Sequence, residues 1–328
     1  MINANTLPGL AALAAVLCVS NNPARADALN DSKTSFDLAA RFKSGFVAYQ
    51  IGGLVSDGRS LGNLHFPISE LRFPLNAKTL QARLALPIQA DWRLLLQAET
   101  NGGSDAGVLE DRDWGISSAE LSSSGSKTLD VYSESRSTLT LKEGDIRLEK
   151  QAIQYTDPIV LRTWKVNYGF GLLIQDYSYQ AYDTVQSYPS SPTEKPDVLN
   201  GLVGTYTYRQ YTPYAALKLA PLVSSTVSIT AELIASPLVR SYDHDNHILR
   251  GKTSDGETKG WTVGLAATLD WQANSVADII AQINYQKTTA NGTQTQQTTE
   301  SGAPQTFEIK LKHISEQTNL SLGVRYSL

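Results

Sequence analysis

The chain has 328 residues, with 28 Lys and Arg against 32 Asp and Glu, a net charge of −4 and one cysteine. Its basic residues are dispersed, which argues against a nucleic-acid surface and leaves room for an acidic groove. Beyond the N-terminus no apolar run reaches the ~20 residues of a spanning helix, so a helical membrane protein is excluded.

The stretch from Leu7 to Ser20 is short and apolar, and Ala24-x-Ala26 follows it. It reads as a secretory signal over residues 1–26, although the first six residues carry no Lys or Arg. Cys18, preceded by Leu17, is a poor lipoprotein acceptor. Removal of this segment leaves 27–328 as a single domain without cysteine. An exported chain without disulfides draws its stability from sheet closure and packing.

After Asp27 the dominant pattern is alternation with a period of two, the signature of strands with one apolar and one polar face. Strands are expected at Phe36–Ile51, Pro67–Pro87, Asp91–Thr100, Thr138–Gln151, Leu161–Asp183, Val203–Ala220, Ser224–Arg240, Trp261–Trp271, Ser275–Thr288 and Thr318–Leu328. The clearest are Trp261–Trp271, with Trp261, Val263, Leu265, Ala267, Leu269 and Trp271 on one face, and the C-terminal segment, with Leu320, Leu322, Val324 and Tyr326 on one face. Aromatics at the ends of a strand of about 9 to 11 residues suit the two interfaces of a bilayer.

Short turns at Pro87–Ala90, Ala220–Val223 and Gln272–Asn274 alternate with long polar loops at 101–136, 184–200, 241–256 and 289–304. That asymmetry predicts a closed antiparallel transmembrane β-barrel of ten strands, with tight turns on one rim and long external loops on the other. A soluble β-sandwich also alternates, but the export signal and the aromatic ends favour the barrel. Ten strands enclose little space, so Arg83, Arg93, Gln97, Lys165, Gln210 and Glu232 should fill it as a paired network and leave no pore.

Two acidic segments then emerge on the same outer rim, where they can face each other. In Asp111-Arg112-Asp113-Trp114 both carboxylates project to one side of extended backbone, and the same holds for Asp243, Asp245 and His247. Crowded carboxylates raise one another's proton affinity, and an imidazole beside a carboxylate can serve as a general base. A water held between Asp111/Asp113 and the Asp245–His247 couple is the chemistry this arrangement suggests. Other patterns fall away. Gly251-Lys252-Thr253 lacks the glycine of a phosphate loop, because position 246 is Asn. The spacing of His244, Asp245 and His247 matches no zinc signature, so no metal is expected.

With these residues in place the chain resembles the omptin family, ten-stranded outer-membrane aspartate–histidine proteases. Asp111-Arg-Asp-Trp114 matches that family's Asp-x-Asp-Trp, and Asp243-His-Asp-Asn-His247 its Asp-x-Asp-x-His. Further similarity lies in Ser69-Glu-Leu-Arg-Phe73, Ser133-Glu-Ser-Arg136 and Tyr206–Tyr214. The resemblance implies an endopeptidase that cuts beside basic residues, needs no cofactor and faces outward from the bacterial outer membrane. Asp111 and Asp113 would place the water, His247 would be the base and Asp245 would orient it. Asp243 would floor the pocket for a basic side chain, with Asp57 as its second acid. The resemblance also implies lipopolysaccharide as an activating lipid on the outer wall. The arginines expected around Gln175–Tyr182 and at Tyr211 are absent, leaving Arg209 and Lys259 as substitutes. The competing function on the same fold is a non-enzymatic barrel, an adhesin or structural protein; a porin ranks third.

Overall fold

Twelve antiparallel strands carry nearly all of the computed structural model, which describes residues 33–56, 65–89, 91–115, 127–156, 163–221, 224, 226–299 and 304–328. They are β1 (Ser35–Ser56), β2 (Ser69–Pro74), β3 (Ala77–Gln89), β4 (Trp92–Thr100), β5 (Ser104–Trp114) and β6 (Leu129–Thr156). The second half holds β7 (Thr163–Ser187), β8 (Asp197–Pro221), β9 (Val227–His247), β10 (Lys252–Gln272), β11 (Ala277–Thr298) and β12 (Gln305–Ser327). The expected signal segment lies outside the described residues.

β1, β3, β4 and β6 to β12 close into a ring of ten, sealed where β12 pairs with β1 from Ser35↔Ser327 to Gly52↔Lys310. β2 and β5 continue β3 and β4 upward on the same wall, with β2 bonded to β1 and β5, and β5 bonded to β6. Each of these two barrel strands is therefore broken once, and the expected ten are present. The breaks have local causes. Pro74 has no N–H for the ladder, and the Leu75 N–H reaches Gly45 O at 2.9 Å instead. Asn101 replaces backbone with side chain: its Nδ2 donates to Leu139 O at 2.8 Å and its Oδ1 accepts from Leu141 N at 2.7 Å.

The external loops are much shorter than expected. β5 occupies 104–114 and β6 begins at Leu129, within the predicted loop 101–136; β7 and β8 approach to Ser187 and Asp197; β11 runs on to Thr298. β9 and β10 meet in a tight hairpin, a single 3-10 turn at Ile248–Arg250 closed by Gly251 at φ 55°. The physical reason is that ladder hydrogen bonds do not require apolar side chains. In β10 the alternation continues past Trp261 with Ser254, Gly256 and Thr258 turned inward and Asp255, Glu257 and Lys259 outward. Strands of 21 to 28 residues at ~3.3 Å per residue and a tilt of 35–45° rise about 50–75 Å, well beyond an apolar band ~25 Å tall.

That band is visible on the outer surface. Trp261, Leu265, Leu269 and Trp271 are exposed on β10, as are Leu320, Leu322 and Tyr326 on β12, while Thr262, Asn319 and Ser321 face the lumen and are buried. Both faces follow the predicted alternation, and the band is what a bilayer-spanning barrel presents to lipid.

The lumen has two levels. Within the band it is filled by charge pairs: Arg147 with Glu232 in a two-pronged contact at 2.8 and 2.9 Å, Lys218 with Glu149 at 2.9 Å, and Arg325 with Asp37 and Asp270 at 2.8 to 3.0 Å. Arg83 bonds Gln97, and Gln210 bonds Gln175, so the expected network is built. Above it the expectation of a polar interior fails. Tyr49, Ile51, Leu71, Phe73, Leu109, Tyr179, Tyr206, Tyr208, Ile309 and Leu311 form one buried apolar cluster inside the barrel, with Tyr206 stacked on Phe73 at 4.0 Å. The projecting wall has no lipid to bury its apolar side chains against, so it turns them inward and makes a conventional core.

Candidate active site

On top of this core, two strand ends bring the predicted residues together. In β5 the alternation turns Leu109, Asp111 and Asp113 inward. Arg112 goes to the other face, where it meets Glu110 at 2.5 Å and Glu70 at 3.4 Å. In β9 Asp243, Asp245 and His247 turn inward, whereas His244 is exposed and pairs with Asp255 at 2.8 Å. Side-chain period, not loop conformation, decides which acids enter the site.

His247 Nε2 contacts Asp245 Oδ2 at 2.9 Å. The Tyr49 hydroxyl donates to the same carboxylate oxygen from β1. A cleft of about 100 Å³ opens beside this couple, and Asp111, Asp245 and His247 all line it. Asp111 Oδ1 is sealed from solvent and has no hydrogen-bond partner among the described residues. Asp113 stands opposite Ser69 on β2 and is held by its hydroxyl. Lys252 is the cross-strand partner of His247, so the two side chains share a face at the hairpin end.

The charges set one another's proton affinity. Burial, and next the neighbouring Asp113, push the Asp111 carboxyl up to about 7, against the pull of His247. Burial raises Asp113 as well, with Ser69, Arg250, Lys252 and His247 drawing it back. Burial would also raise Asp245, but the His247 charge, its hydrogen bond and the Tyr49 hydroxyl together hold Asp245 below the ordinary carboxylate value. For His247, burial favours the neutral ring, and the Asp245 charge and hydrogen bond more than reverse it, so its pKa is raised. Burial and then Arg250 lower Lys252, with the three aspartates opposing. The result is an ionised Asp245 beside an imidazole of enhanced basicity, facing an aspartate poised to titrate near neutrality.

The sequence model of the omptin family matches residues 65–328, which hold both acidic segments and the strands that carry them. The chain belongs to the omptin family. Among solved structures, the outer membrane protease OmpT from Escherichia coli superposes with a TM-score of 0.71 at 13% identity, over 95% of this chain and 99% of that one. The translocator domain of the autotransporter NalP from Neisseria meningitidis gives 0.34 at 7% identity, over 92% and 90%. The outer membrane protein OprG from Pseudomonas aeruginosa gives 0.32 at 10%, over 91% and 98%. No curated protein sequence matches the chain.

Three of the six predicted site residues of this omptin, Asp111, Asp245 and His247, thus line one cleft, with Asp113 two residues from Asp111 on the same face of β5. Asp57 lies outside the described residues. Asp243 is inward but does not reach the cleft: its side chain is 0% exposed, 3.5 Å from His313 Nε2 and 3.4 Å from Gln294 Nε2. Tyr49, Ser69 and Lys252 were missed by sequence reasoning. The inward register of β1 places Tyr49 between the buried Val47 and Ile51, so no local pattern distinguishes it from core. Lys252 faces His247 only because the hairpin is as tight as four residues allow, which a loop drawn over 241–256 conceals.

Proposed function

We propose that this omptin is an outer-membrane endopeptidase that hydrolyses peptide bonds with a water held between Asp111/Asp113 and the Asp245–His247 couple, at the end of the barrel that faces outward. The observation that carries this reading is one cleft lined at once by Asp111, with a buried oxygen that has no partner among the described residues, and by His247 already oriented on Asp245. His247 takes the proton of the attacking water, Asp245 fixes the ring and stabilises the imidazolium that forms, and the Asp111/Asp113 carboxylates accept hydrogen bonds from the water. No covalent intermediate and no cofactor enter the scheme. His247→Ala should lower peptide turnover by roughly 10²- to 10⁴-fold while the barrel's circular dichroism is unchanged. A folded wild-type protein inert on a broad peptide library would instead favour the adhesin or structural reading.

The proposed lipopolysaccharide partner has a candidate seat on the outer wall. Tyr211, Arg240 and Lys259 lie side by side in register across β8, β9 and β10, with Tyr242 edge-on to Tyr211 at 6.3 Å. Arg240 supplies a cation beside Lys259, whereas Arg209 is tied to Asp176. Arg240→Ala with Lys259→Ala should raise the lipopolysaccharide concentration needed for half-maximal activity. No change in that concentration would remove the seat from the scheme.

A further inference from the structure

β8 climbs higher than the strand beside it. Its ladder to β9 ends where Gly204 pairs with His247, because β9 turns back there through Ile248–Arg250 into β10. Its ladder to β7 continues upward through Leu202↔Tyr182, Leu199↔Thr184 and Val198↔Val185 to Asp197↔Gln186. The Gly201 N–H goes to Asp183 Oδ1 at 2.9 Å, on that same paired side. Residues 197–203 are therefore laddered on one side only among the described residues, and 197–202 are all exposed. The backbone groups that would have met β9 are left as a strand edge.

Lipid does not cover this edge. Leu199 lies twelve residues above Tyr211 on β8, which at ~3.3 Å per residue and a tilt of 35–45° carries it about 28–32 Å farther from the membrane. Its side chains are apolar all the same: Val198 is 62% exposed, Leu199 37% and Leu202 36%. Leu249, 55% exposed, stands across from them at the hairpin tip. Leu199, Val203, Gly204 and Leu249 all line the cleft that holds Asp111, Asp245 and His247. The edge thus runs directly into the site. Proteins blunt such edges with charge or proline, and an apolar one left open is a template for another extended chain.

We propose that the edge of β8 at 197–203 is the docking strand for the substrate, which binds as an extended chain in the place β9 would have taken beyond His247. The inference rests on the hydrolase reading for which bond is cut, and on the strand edge alone for how the chain is held. An added strand antiparallel to β8 follows the direction of β9, starts at His247 and leads away from the membrane; antiparallel pairing is also the more stable. The scissile bond then lies at its N-terminal end, and roughly six residues on the C-terminal side of that bond pair along the edge. Main-chain hydrogen bonds hold any sequence, and alternate side chains turn to the cleft, where Leu199 and Leu249 favour an apolar one. This mode selects extended or unfolded segments and rejects helices. It leaves the choice of residue at the cut itself to other groups.

The test uses the full mature chain folded in lipopolysaccharide-containing detergent micelles. The probes are quenched-fluorescent peptides with a central Arg-Arg bond, lengthened stepwise on either side, and a set of the longest with single backbone amides N-methylated along the C-terminal arm. Lengthening that arm should raise kcat/KM, chiefly through KM. Each methyl group removes one donor, so losses of roughly 3- to 10-fold should fall on every second position, with little change between them. The same peptides are titrated by fluorescence anisotropy onto His247→Ala, which reads docking without turnover. Leu199→Asn should weaken the preference for Leu over Asn at the arm position that faces the cleft, with heat-modifiable gel mobility reporting a folded barrel. A length effect confined to the N-terminal arm, or methylation losses without alternation, overturns the docking strand. So does a dimer in the same micelles that Val198→Lys dissolves while no alternation is seen, which gives the edge to a second copy. Alternating losses in binding with no turnover of any peptide by the wild type support the docking strand and sink the hydrolase reading instead.

Discussion

Asp111 is the group whose titration is most exposed to test, because its elevated proton affinity has a removable cause. Burial contributes first and the Asp113 charge second, leaving Asp111 at about 7. Side chains two apart on a strand are separated by ~6.6 Å along the backbone. At an effective dielectric of about 20, two unit charges at that distance repel by ~2.5 kcal/mol, a ceiling of roughly 1.8 pH units at 1.36 kcal/mol per unit. That ceiling takes both groups as fully charged throughout, so half of it, ~1 unit, is the expectation. If the water is held by ionised Asp111, kcat/KM should rise with pH through about 7 in the wild type. In Asp113→Asn the like charge is gone, ionisation becomes easier, and this acid limb should move to lower pH by about 1 unit, whatever happens to the plateau. Carboxyl-carbon NMR of Asp111 in the same two proteins assigns the limb. A limb that stays in place or moves upward, with Asp111 titrating at the ordinary aspartate value, would refute the placing of Asp111 as the water-holding anion.

Two further expectations follow from single contacts. Tyr49→Phe removes a hydroxyl that donates to the charged Asp245; bonds to charged groups contribute ~1.5–3 kcal/mol, so turnover should fall by roughly 10- to 150-fold in stopped or continuous peptide assays with the barrel's circular dichroism intact. Arg147→Leu leaves Glu232 and Glu149 without their shared guanidinium in the membrane-level lumen; breaking such a buried pair destabilises by ~3–5 kcal/mol, and the urea midpoint of the barrel in lipid vesicles should drop accordingly.

The sequence made the ring of ten legible because lipid imposes a pattern. Trp261, Leu265 and Leu269 must face out and Thr262 must face in, so period and face can be counted. Above the bilayer that constraint disappears. Ser254, Gly256 and Thr258 alternate with Asp255, Glu257 and Lys259, which looks like a polar loop unless one asks where the backbone hydrogen bonds go. The same blindness hid the upper core: Tyr49, Phe73 and Tyr206 lie far apart in the chain, and only closure of the sheet makes them neighbours. The four residues proposed to be catalytic were readable because a spacing of two survives in any extended segment. The fate of Asp243 was not, since it depends on His313, a residue 70 positions away on β12 that no local pattern marks.

A water-activating arrangement needs its groups held within fractions of an ångström before substrate arrives, and a site carried on packed elements meets that demand better than one on free loops. Here β5 and β9 do not end at the membrane. They continue as laddered strands, each bonded to neighbours on both sides, around an interior packed with Phe73, Tyr179 and Tyr206. The apolar cluster therefore has two tasks. It keeps the projecting wall from collapsing or splaying, which fixes the separation of Asp111 from His247, and it presents its upper surface as the floor of the cleft. A change that loosens this core, even with every ionisable group in place, should then lower turnover and blur side-chain selectivity together, because one set of contacts governs both.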